Sequence, residues 1–583
     1  MKNKFSFKSK IKESISSYKA LIGLYRKVKI PWIIILFVLL FMFAVKELEA
    51  QLVPYTTKIM TGAIDSHGFL GGFVVMTIVY GMVEAVQGSI VELGNAITTR
   101  NVRRTVWRKL IYLPMSVFDK EDNQSFVSRI TQDTTGAYAA IACVVQLLAV
   151  IYGLYTNFSK MLKIYDSLAY IMLSAIPITI IVSIICGKMQ YKMERIITES
   201  VSAITNFYAE RLPNLNHIKI SNMEDEEYRK GVEANNAKYK ADVKYWNISI
   251  LQGPLSTFAQ YINQVILLVV ASALVRAGVM KMTQMLNLYN YFLMFMGNAV
   301  LLTSVWQGVK TSHGSCATIA RLCDIEDEML EGGTEMGIGQ KDITFKNVSF
   351  SYEEGVDVLK DVSFTIPKGK ITAIVGENGS GKSTIIKLIE RFNTVDSGDI
   401  LIGSDSISDV NLYEWRSLVG HLFQSGQLVK GSIKDNICYG LDREYTQEEI
   451  TEAAKLAKAY DFIMEKDEGF DTQISNFSSR LSGGEAQRIA IARVIMQKPE
   501  YLIMDEATSG IDIVNEAEII EALENLMQGR TVVMVAHDMQ LIKRADNIVV
   551  LNGGTVEACG DFDTVLRESA LFRKYQSERS INL

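Results

Sequence analysis

Long apolar runs alternate with charged segments through the first half of the chain. A helix needs about 20 mainly apolar residues to cross a bilayer, and most of the runs approach that length. Buried core helices of a soluble protein are the alternative, but six runs within 310 residues and a basic flank before the first favour membrane spans. The pattern therefore predicts six transmembrane helices, at 30–59, 69–95, 139–155, 168–186, 255–275 and 285–305.

From about residue 342 the apolar segments become short. Residues 348–351 and 362–366 alternate between apolar and polar side chains, as strands with one buried face do. Residues 371–375 are a short apolar run that leads into a glycine-rich loop, and 384–391 favour a helix. This half is predicted to be an α/β domain.

Lysine and arginine predict the orientation, because they are enriched on the cytoplasmic side. Residues 2–29 carry nine basic residues and one acid, 100–109 are also basic, and 61–68 contain no lysine or arginine. Later outer links fit less well, since 156–167 and 276–284 contain basic residues. We expect a multi-pass protein of the cytoplasmic membrane, with the N-terminus and the second half in the cytoplasm.

The net charge and the spacing of the cysteines argue against two kinds of partner or site. The net charge of −5 argues against a nucleic-acid partner. Six widely spaced cysteines contain no C-x-x-C pair, which indicates reduced structural thiols rather than a disulfide or zinc framework.

Charged residues also occur within or beside the predicted spans. Lys46 and Glu47 interrupt the first, and Glu84 and Glu92 recur on one helical face of the second. Charges at membrane depth are costly and face a partner or a watery cavity. One interpretation is a cavity for a polar or cationic cargo. The other is structural pairing, for example of Lys46 with Glu84, or exposure at the outer rim.

The segment GENGSGKST (376–384, the phosphate loop) matches the pattern G-x-x-x-x-G-K-[ST]. It lies between a predicted strand and a helix, the context in which backbone N–H groups cradle phosphates. Lys382 would neutralise the β- and γ-phosphates, and Ser383 would ligate Mg²⁺. The candidate ATP contacts in the loop are Gly376, Asn378, Gly379, Ser380, Gly381, Lys382, Ser383 and Thr384.

A second apolar strand, 502–504, ends in two acids. Asp505 is placed to hold Mg²⁺, and Glu506 to orient or deprotonate the attacking water. With the phosphate loop, these residues predict an ATP hydrolase.

The segment LSGGEAQRIAIAR (481–493) resembles the signature of ATP-binding cassette (ABC) proteins. In that family the signature faces ATP held by another cassette, so the resemblance implies that Ser482, Gly483 and Gly484 contact the nucleotide of a second chain. One phosphate loop and one signature then imply a dimer. A homodimer is expected, because every element of the ATP site is intact; a heterodimer is the alternative.

Other positions match motifs of the same family. The resemblance implies that Tyr352 (in FSYEEG) stacks on adenine and that Gln424 (in HLFQSGQ) reaches Mg²⁺ and the water. It also implies that Asp512 (in SGID) lies in the loop crossing the dimer interface and that His537 (in VMVAHD) contacts the γ-phosphate. Glu506, His537 and Gln424 are the expected catalytic residues.

The membrane half resembles the homodimer-type exporters of this family. Residues 113–134 and 210–231 are similar to their two intracellular loops, which dock short coupling helices onto the cassettes. The resemblance implies an all-α six-helix transmembrane domain of the exporter fold followed by an α/β P-loop ATPase cassette. The expected organisation is a basic segment at 1–29, a transmembrane domain at 30–318 with two long intracellular extensions, a linker at 319–341, and a nucleotide-binding domain at 342–583.

The implied function is ATP- and Mg²⁺-dependent export of a peptide, lipid or drug-like compound. An importer of siderophore-like cargo built on the same fold, and a membrane-anchored regulatory ATPase, are the alternatives. Three segments depart from the family pattern: SGID at 509–512 in place of SALD, TQISNFSSR at 472–480 without the usual acids, and Glu485 in place of glutamine, a frequent variant. The departure at 472–480 bears on the coupling between domains.

Overall fold

The structure is a computed structural model. It describes residues 23, 25–61, 67–119, 126–127, 129–173, 175–329, 332–334, 339–353, 355–423, 427–474, 481–505, 513–536 and 539–580. These residues form two compact units. The first contains the described residues of 1–112 and 122–326, and the second those of 113–121 and 327–583.

Nine α-helices precede the first strand in the described residues. A π-helical turn, Arg129–Asp133, leads into the fourth, and a 3₁₀ turn, Leu212–Asn214, leads into the seventh. The helices are α1 (Trp32–Met60), α2 (His67–Ile111), α3 (Met115–Phe118), α4 (Thr134–Ile164), α5 (Asp166–Leu173), α6 (Ala175–Arg211), α7 (Leu215–Ile220), α8 (Glu224–Arg276) and α9 (Met282–Asp324). All but α3 belong to the first unit.

Five of the predicted spans each fall mainly on one of these helices. The remaining one, 168–186, is divided between α5 and α6. The long helices α6 and α8 also include most of the second intracellular extension. Within the described part of the chain, Phe69–Ile111, Arg129–Ile164 and Met282–Leu302 are long and apolar enough to cross a membrane, and Tyr261–Arg276 is a shorter apolar helix.

The first unit has both a buried apolar core and an apolar exterior. Phe292 and Phe295 of α9 pack with Met161 of α4 in one buried cluster. On α2, Val75 and Met82 are instead 61% and 64% exposed. An apolar surface of this kind is suited to lipid, where no hydrophobic penalty attaches to it.

Two sheets and a short ribbon form the frame of the second unit. The order is β12-β11-β3-β10-β9-β6 in the larger sheet and β2-β1-β4-β5 in the antiparallel one, and β7 pairs with β8. The strands are β1 (Ile343–Glu353), β2 (Val356–Ile366), β3 (Ile371–Gly376), β4 (Ser397–Ile402), β5 (Asp405–Ser406), β6 (Val419–Leu422), β7 (Gly431–Ser432), β8 (Gln473–Ile474), β9 (Tyr501–Asp505), β10 (Thr531–Val535), β11 (Asn547–Asn552) and β12 (Thr555–Gly560).

The neighbours β11, β3, β10, β9 and β6 run parallel. Every residue of β10 is buried, as expected for a strand covered on both faces. The helices of this unit after β3 are α10 (Lys382–Ile389), α11 (Leu412–Leu418), α12 (Ile433–Ile437), α13 (Gln447–Leu456), α14 (Tyr460–Met464), α15 (Gly483–Gln497), α16 (Ile513–Met527), α17 (Met539–Ile542), α18 (Phe562–Glu568) and α19 (Ala570–Ser580).

The helix after the phosphate loop starts and ends two residues earlier than predicted. It begins at Lys382 and ends at Ile389, whereas the sequence predicts 384–391. The end is fixed by Arg391, which has a left-handed φ of 55°, and by a hydrogen bond of 2.9 Å from the Phe392 N–H to the Lys387 carbonyl. Glycine is the usual residue in this conformation, so an arginine at this position does not predict the end of the helix.

Candidate ATP site

The phosphate loop joins the carboxyl end of β3 to the start of α10. Gly379 and Gly381 have φ of +81° and +103°, a region that side chains disfavour. At Gly376 a Cβ would lie 2.4 Å from the Leu551 carbonyl oxygen, so that position has no room for a side chain. Three glycines of the motif are therefore required by the backbone itself.

Lys382 is buried at the start of α10, with 7% of its surface exposed. Its Nζ donates to the carbonyls of Gly376 and Glu377 at 2.8 and 3.0 Å. A buried ammonium needs partners, and the loop carbonyls supply them. The positive charge is thereby held inside the loop, where a phosphate would sit.

Ser380 and Ser383 present hydroxyls in different environments. The Oγ of Ser380 is buried and has no hydrogen-bond partner among the described residues, so it is available as a donor to a phosphate oxygen. Ser383 is exposed on the first turn of α10. Asp505 ends β9, two strands from β3. A hydroxyl and a carboxylate are oxygen ligands of the kind that Mg²⁺ prefers.

Four predicted site residues, Gln424, Glu506, Asp512 and His537, lie outside the described residues. The strands that precede three of them in the chain are described. β6 ends at Leu422, β9 at Asp505 and β10 at Val535, and these strands are parallel neighbours. In such sheets ligands bind beyond the carboxyl ends of the strands.

Tyr352 near the end of β1 contacts α10. Its hydroxyl lies 3.3 Å from the Thr384 Oγ1, and the Lys387 Nζ lies 5.3 Å from its ring centroid. The Phe350 ring packs edge-on at 4.9 Å between centroids. The ring is about a third exposed, which leaves surface for a stacked base.

The signature forms the N-terminus of α15. Ser482 is the N-cap: its Oγ accepts from the Glu485 N–H at 3.2 Å, and the Glu485 carboxylate accepts from the Ser482 N–H at 2.7 Å. A hydroxyl that accepts one bond still has its hydrogen to donate. Ser482 and Gly483 are exposed and Gly484 is buried, so the helix presents a donor and a positive dipole end outward.

Two cations support this helix N-terminus. The Lys466 Nζ lies 3.1 Å from the Glu485 carboxylate. Partial burial acts to raise the pKa of Glu485, but hydrogen bonds from Ser482 and Lys466 outweigh it, so the pKa is lowered. Arg488 pairs with Glu518 and lies over the Phe462 ring at 4.9 Å.

The phosphate loop and the signature have no polar contact with each other in the part of the chain that the structure describes. Among the described residues, no hydrogen bond or ion pair connects 376–384 with 482–485. Sequence reasoning identified both segments but missed the lysines that flank them, Lys387 and Lys466. Lys387 follows Ser383 by one helical turn and was detectable from that spacing, whereas nothing in the sequence marks Lys466.

Two charged residues of the predicted cavity pair with residues outside that set. Lys46 pairs with Glu49 at 3.1 Å, and Glu47 lies 3.7 Å from Lys160. Glu84 and Glu92 are exposed on α2. Within the described residues no ion pair joins Lys46 to Glu84, and the cavity and its alternatives stay predictions.

Two family models match the chain. The ABC transporter transmembrane region matches residues 32–299, and the ABC transporter model matches residues 359–509. These matches agree with the helical unit and the sheet-containing unit. They confirm the predicted order of a transmembrane domain followed by an ATPase domain.

The chain is similar over most of its length to curated transport proteins. It is 29% identical over 518 residues to a multidrug resistance ABC transporter ATP-binding and permease protein of Lactococcus lactis, with 88% of each chain covered. It is 30% identical over 481 residues to an ATP-dependent lipid A-core flippase of Photorhabdus laumondii, with 81% of each covered.

The fold is also that of a solved structure. A bacterial Atm1-family ABC exporter with ATP bound matches with a TM-score of 0.80 and 22% identity, over 93% of this chain and 97% of that one. At this identity the match shows the fold alone, and it confirms the predicted fold class.

Proposed function

The chain belongs to the ABC transporter family, as an exporter-type half-transporter that couples ATP hydrolysis to transport, and from this we propose that it works as a homodimer with two composite ATP sites. The observation that carries the proposal is the signature at the N-terminus of α15. Ser482 and Gly483 are exposed, and no hydrogen bond or ion pair between described residues joins them to the chain's own phosphate loop. A second chain would bring its ATP to them.

The two intracellular segments give independent support for a dimer. The first, with α3, belongs to the compact unit that holds the cassette of the same chain. The second, with α7, belongs to the first unit and has apolar residues in water: Leu212, Leu215 and Ile220 are 61%, 46% and 82% exposed. A partner's cassette is the surface that would cover them in the dimer.

The proposed chemistry assigns one task to each group. Lys382 neutralises phosphate charge, and loop amides with the Ser380 hydroxyl hold the oxygens. Glu506 orients or deprotonates water, His537 contacts the γ-phosphate, and Gln424 reaches Mg²⁺ and the water. Ser383, Gln424 and Asp505 would hold Mg²⁺, which neutralises charge on the transferred phosphoryl group.

ATP closes the two cassettes because each nucleotide binds two chains at once. The gain from this differential binding shifts the population from an open to a closed dimer. Hydrolysis removes the γ-phosphate that bridges the chains, so the dimer reopens. The long helices α6, α8 and α9 are continuous with the membrane helices and would transmit the movement.

We propose an amphipathic cargo, either a drug-like compound or a lipid. The curated relatives carry those two kinds of name, and the lipid-suited surface of α2 also carries the acids Glu84 and Glu92. A cationic compound with an apolar body would suit both the apolar surface of α2 and its two acids. We also propose that the N-terminus and the cassette lie in the cytoplasm, because the flanks of the first spans are basic.

The test is ATP-dependent flux in inverted membrane vesicles, with a fluorescent cationic drug and a labelled lipid as separate cargos. Accumulation of the drug, or lipid transfer between leaflets, supports export. Depletion indicates an importer, and ATPase without flux indicates a regulator. The matched control is Glu506→Gln, expected to bind ATP and lose turnover and flux; full ATPase activity in that variant would contradict the assigned base.

A further inference from the structure

Lys387 connects three parts of the cassette unit. It lies on α10 three residues after Thr384, and its Nζ is 3.1 Å from the Asp119 carboxylate. The same Nζ is 5.3 Å from the Tyr352 ring centroid, within cation–π range. One side chain therefore contacts both the aromatic proposed to stack on adenine and an acid far away in sequence.

Asp119 belongs to the first intracellular segment. It directly follows α3, and its backbone N–H donates to the Met115 carbonyl at 3.2 Å, which fixes it at the end of that helical turn. The segment lies in the cassette unit, although the chain enters it from α2, a helix long and apolar enough to span a membrane. A movement of α2 is thus linked by the backbone to Asp119.

Tyr352 is held by α10 at two points. Thr384, which is 5% exposed, contacts its hydroxyl at 3.3 Å, and Lys387 lies over its ring. About a third of the residue stays exposed, which leaves surface for a base. Holding the ring in one orientation before the nucleotide arrives lowers the entropy lost on binding.

Lys387 is a cation under working conditions. Partial burial acts to lower its pKa, but the hydrogen bond to Asp119, together with the interactions with Tyr352 and with the charge of Asp119, outweighs this and raises the pKa. The side chain is 35% exposed and that of Asp119 is 26% exposed. The pair is therefore partly shielded from solvent, where its geometry is better defined than that of a fully exposed pair.

We propose that Lys387 is a positioning residue for the adenine of ATP, and that Asp119 makes its position depend on the first intracellular segment. This inference rests on the proposed adenine contact of Tyr352. Through the contacts of Lys387 with Asp119 and Tyr352, a movement of the membrane helix α2 would change the affinity for ATP. A shift of α3 that draws Asp119 away loosens Lys387 and, through it, the ring.

The test compares ATP with inorganic tripolyphosphate, which has the phosphates without the base. In the full-length protein, Lys387→Met is expected to raise the KM for ATP about two- to fivefold, the range of a cation–π contact, with a smaller change in kcat. The inhibition constant of tripolyphosphate stays the same. Lys387→Arg keeps a cation over the ring and restores the KM. A general structural defect would instead change both ligands together.

The matched control is Lys370→Met. Lys370 pairs with Asp546 at 3.0 Å, in the same unit but at the amino end of β3. This variant removes a comparable ion pair and is expected to leave both constants unchanged. Asp119→Asn should raise the KM for ATP less than Lys387→Met, and add nothing in the double variant, because its effect passes through Lys387.

The Tyr352→Ala variant tests the adenine contact of Tyr352 separately from the positioning role of Lys387. If it raises the KM for ATP while Lys387→Met behaves as the control does, the adenine site stands and the role of Lys387 is wrong. If Tyr352→Ala leaves the KM unchanged, the adenine contact itself is wrong, and the positioning role falls with it. Additive effects of Asp119→Asn and Lys387→Met would overturn the role of Asp119.

Discussion

The phosphate loop and the signature differ in how deeply their polar residues are buried within one chain. The loop holds buried polar groups: Ser380, Lys382 and Thr384 are between 3% and 7% exposed, and the loop carbonyls accept hydrogen bonds from the buried ammonium. The signature is exposed where α15 begins, although Gly484 is already buried. Ser482 and Gly483 are exposed, while Ile489 further along α15 is fully buried.

The electrostatics of the two segments differ in the same way. The loop places a buried cation where phosphates would bind. The signature has a carboxylate, Glu485, in its first turn, which would repel a phosphate if it were not paired with Lys466 at 3.1 Å. This difference fits our proposal that the loop of one chain binds ATP and that the signature of a second chain completes the site.

The largest expected effect comes from the loop. Lys382→Ala removes the buried charge and should lower kcat by at least about 10²–10³, as loss of a preorganised electrostatic contact does, and should weaken ATP binding. ATPase assays with nucleotide-binding measurements check both. Tight ATP binding by this variant would mean that the loop does not depend on its lysine.

A variant of the signature should lower hydrolysis while leaving ATP binding nearly unchanged. Gly483→Asp places an anion at the exposed N-terminus of α15, so we expect ATP to bind near normally while hydrolysis falls at least about tenfold. The reason is that the variant repels the γ-phosphate of the partner's ATP and leaves the loop intact. Binding and turnover are measured on the same sample.

Mixing the two variants distinguishes composite sites from sites within one chain. A heterodimer of Lys382→Ala and Gly483→Asp chains has one fully normal site if each site uses the loop of one chain and the signature of the other. Co-expression should therefore restore ATPase activity that neither homodimer has. If each site used a single chain, every site would be defective and no activity would return.

A smaller effect is expected at Lys466. Lys466→Met leaves the Glu485 charge unbalanced, so the KM for ATP in turnover should rise about two- to fivefold, the scale of a partly exposed ion pair. In a Glu485→Gln background the same change should have no effect, because no charge remains to balance. Equal effects in both backgrounds would show that Lys466 acts by packing alone.

The smallest effect concerns pH. The pKa of Glu485 is lowered from its ordinary 4.5, so its contribution to folding is present above that pH and is lost as the pH falls through the folded-state pKa. Glu485→Gln should lower stability by less than about 1 kcal/mol at pH 7. The difference in Tm from wild type should vanish at low pH, and a constant difference would contradict the assignment.

Much of the architecture was predictable from local sequence. The runs of apolar residues mark the long helices, because length and polarity alone determine whether a segment suits a bilayer. β3, the phosphate loop and α10 were predictable as a unit, since the glycines need particular backbone angles. The end of α10 was not, because Arg391 adopts a conformation that its side chain disfavours.

The sequence by itself determined the family, the order of the domains and the chemistry of the phosphate loop, because these depend on residues close together in the chain. Tertiary structure alone decided which charges meet. Lys46 pairs with Glu49 and not with Glu84, and Lys387 meets Asp119 across 268 positions. Such pairs depend on how helices and strands pack, and the spacing of residues along the chain does not encode that packing in any local pattern.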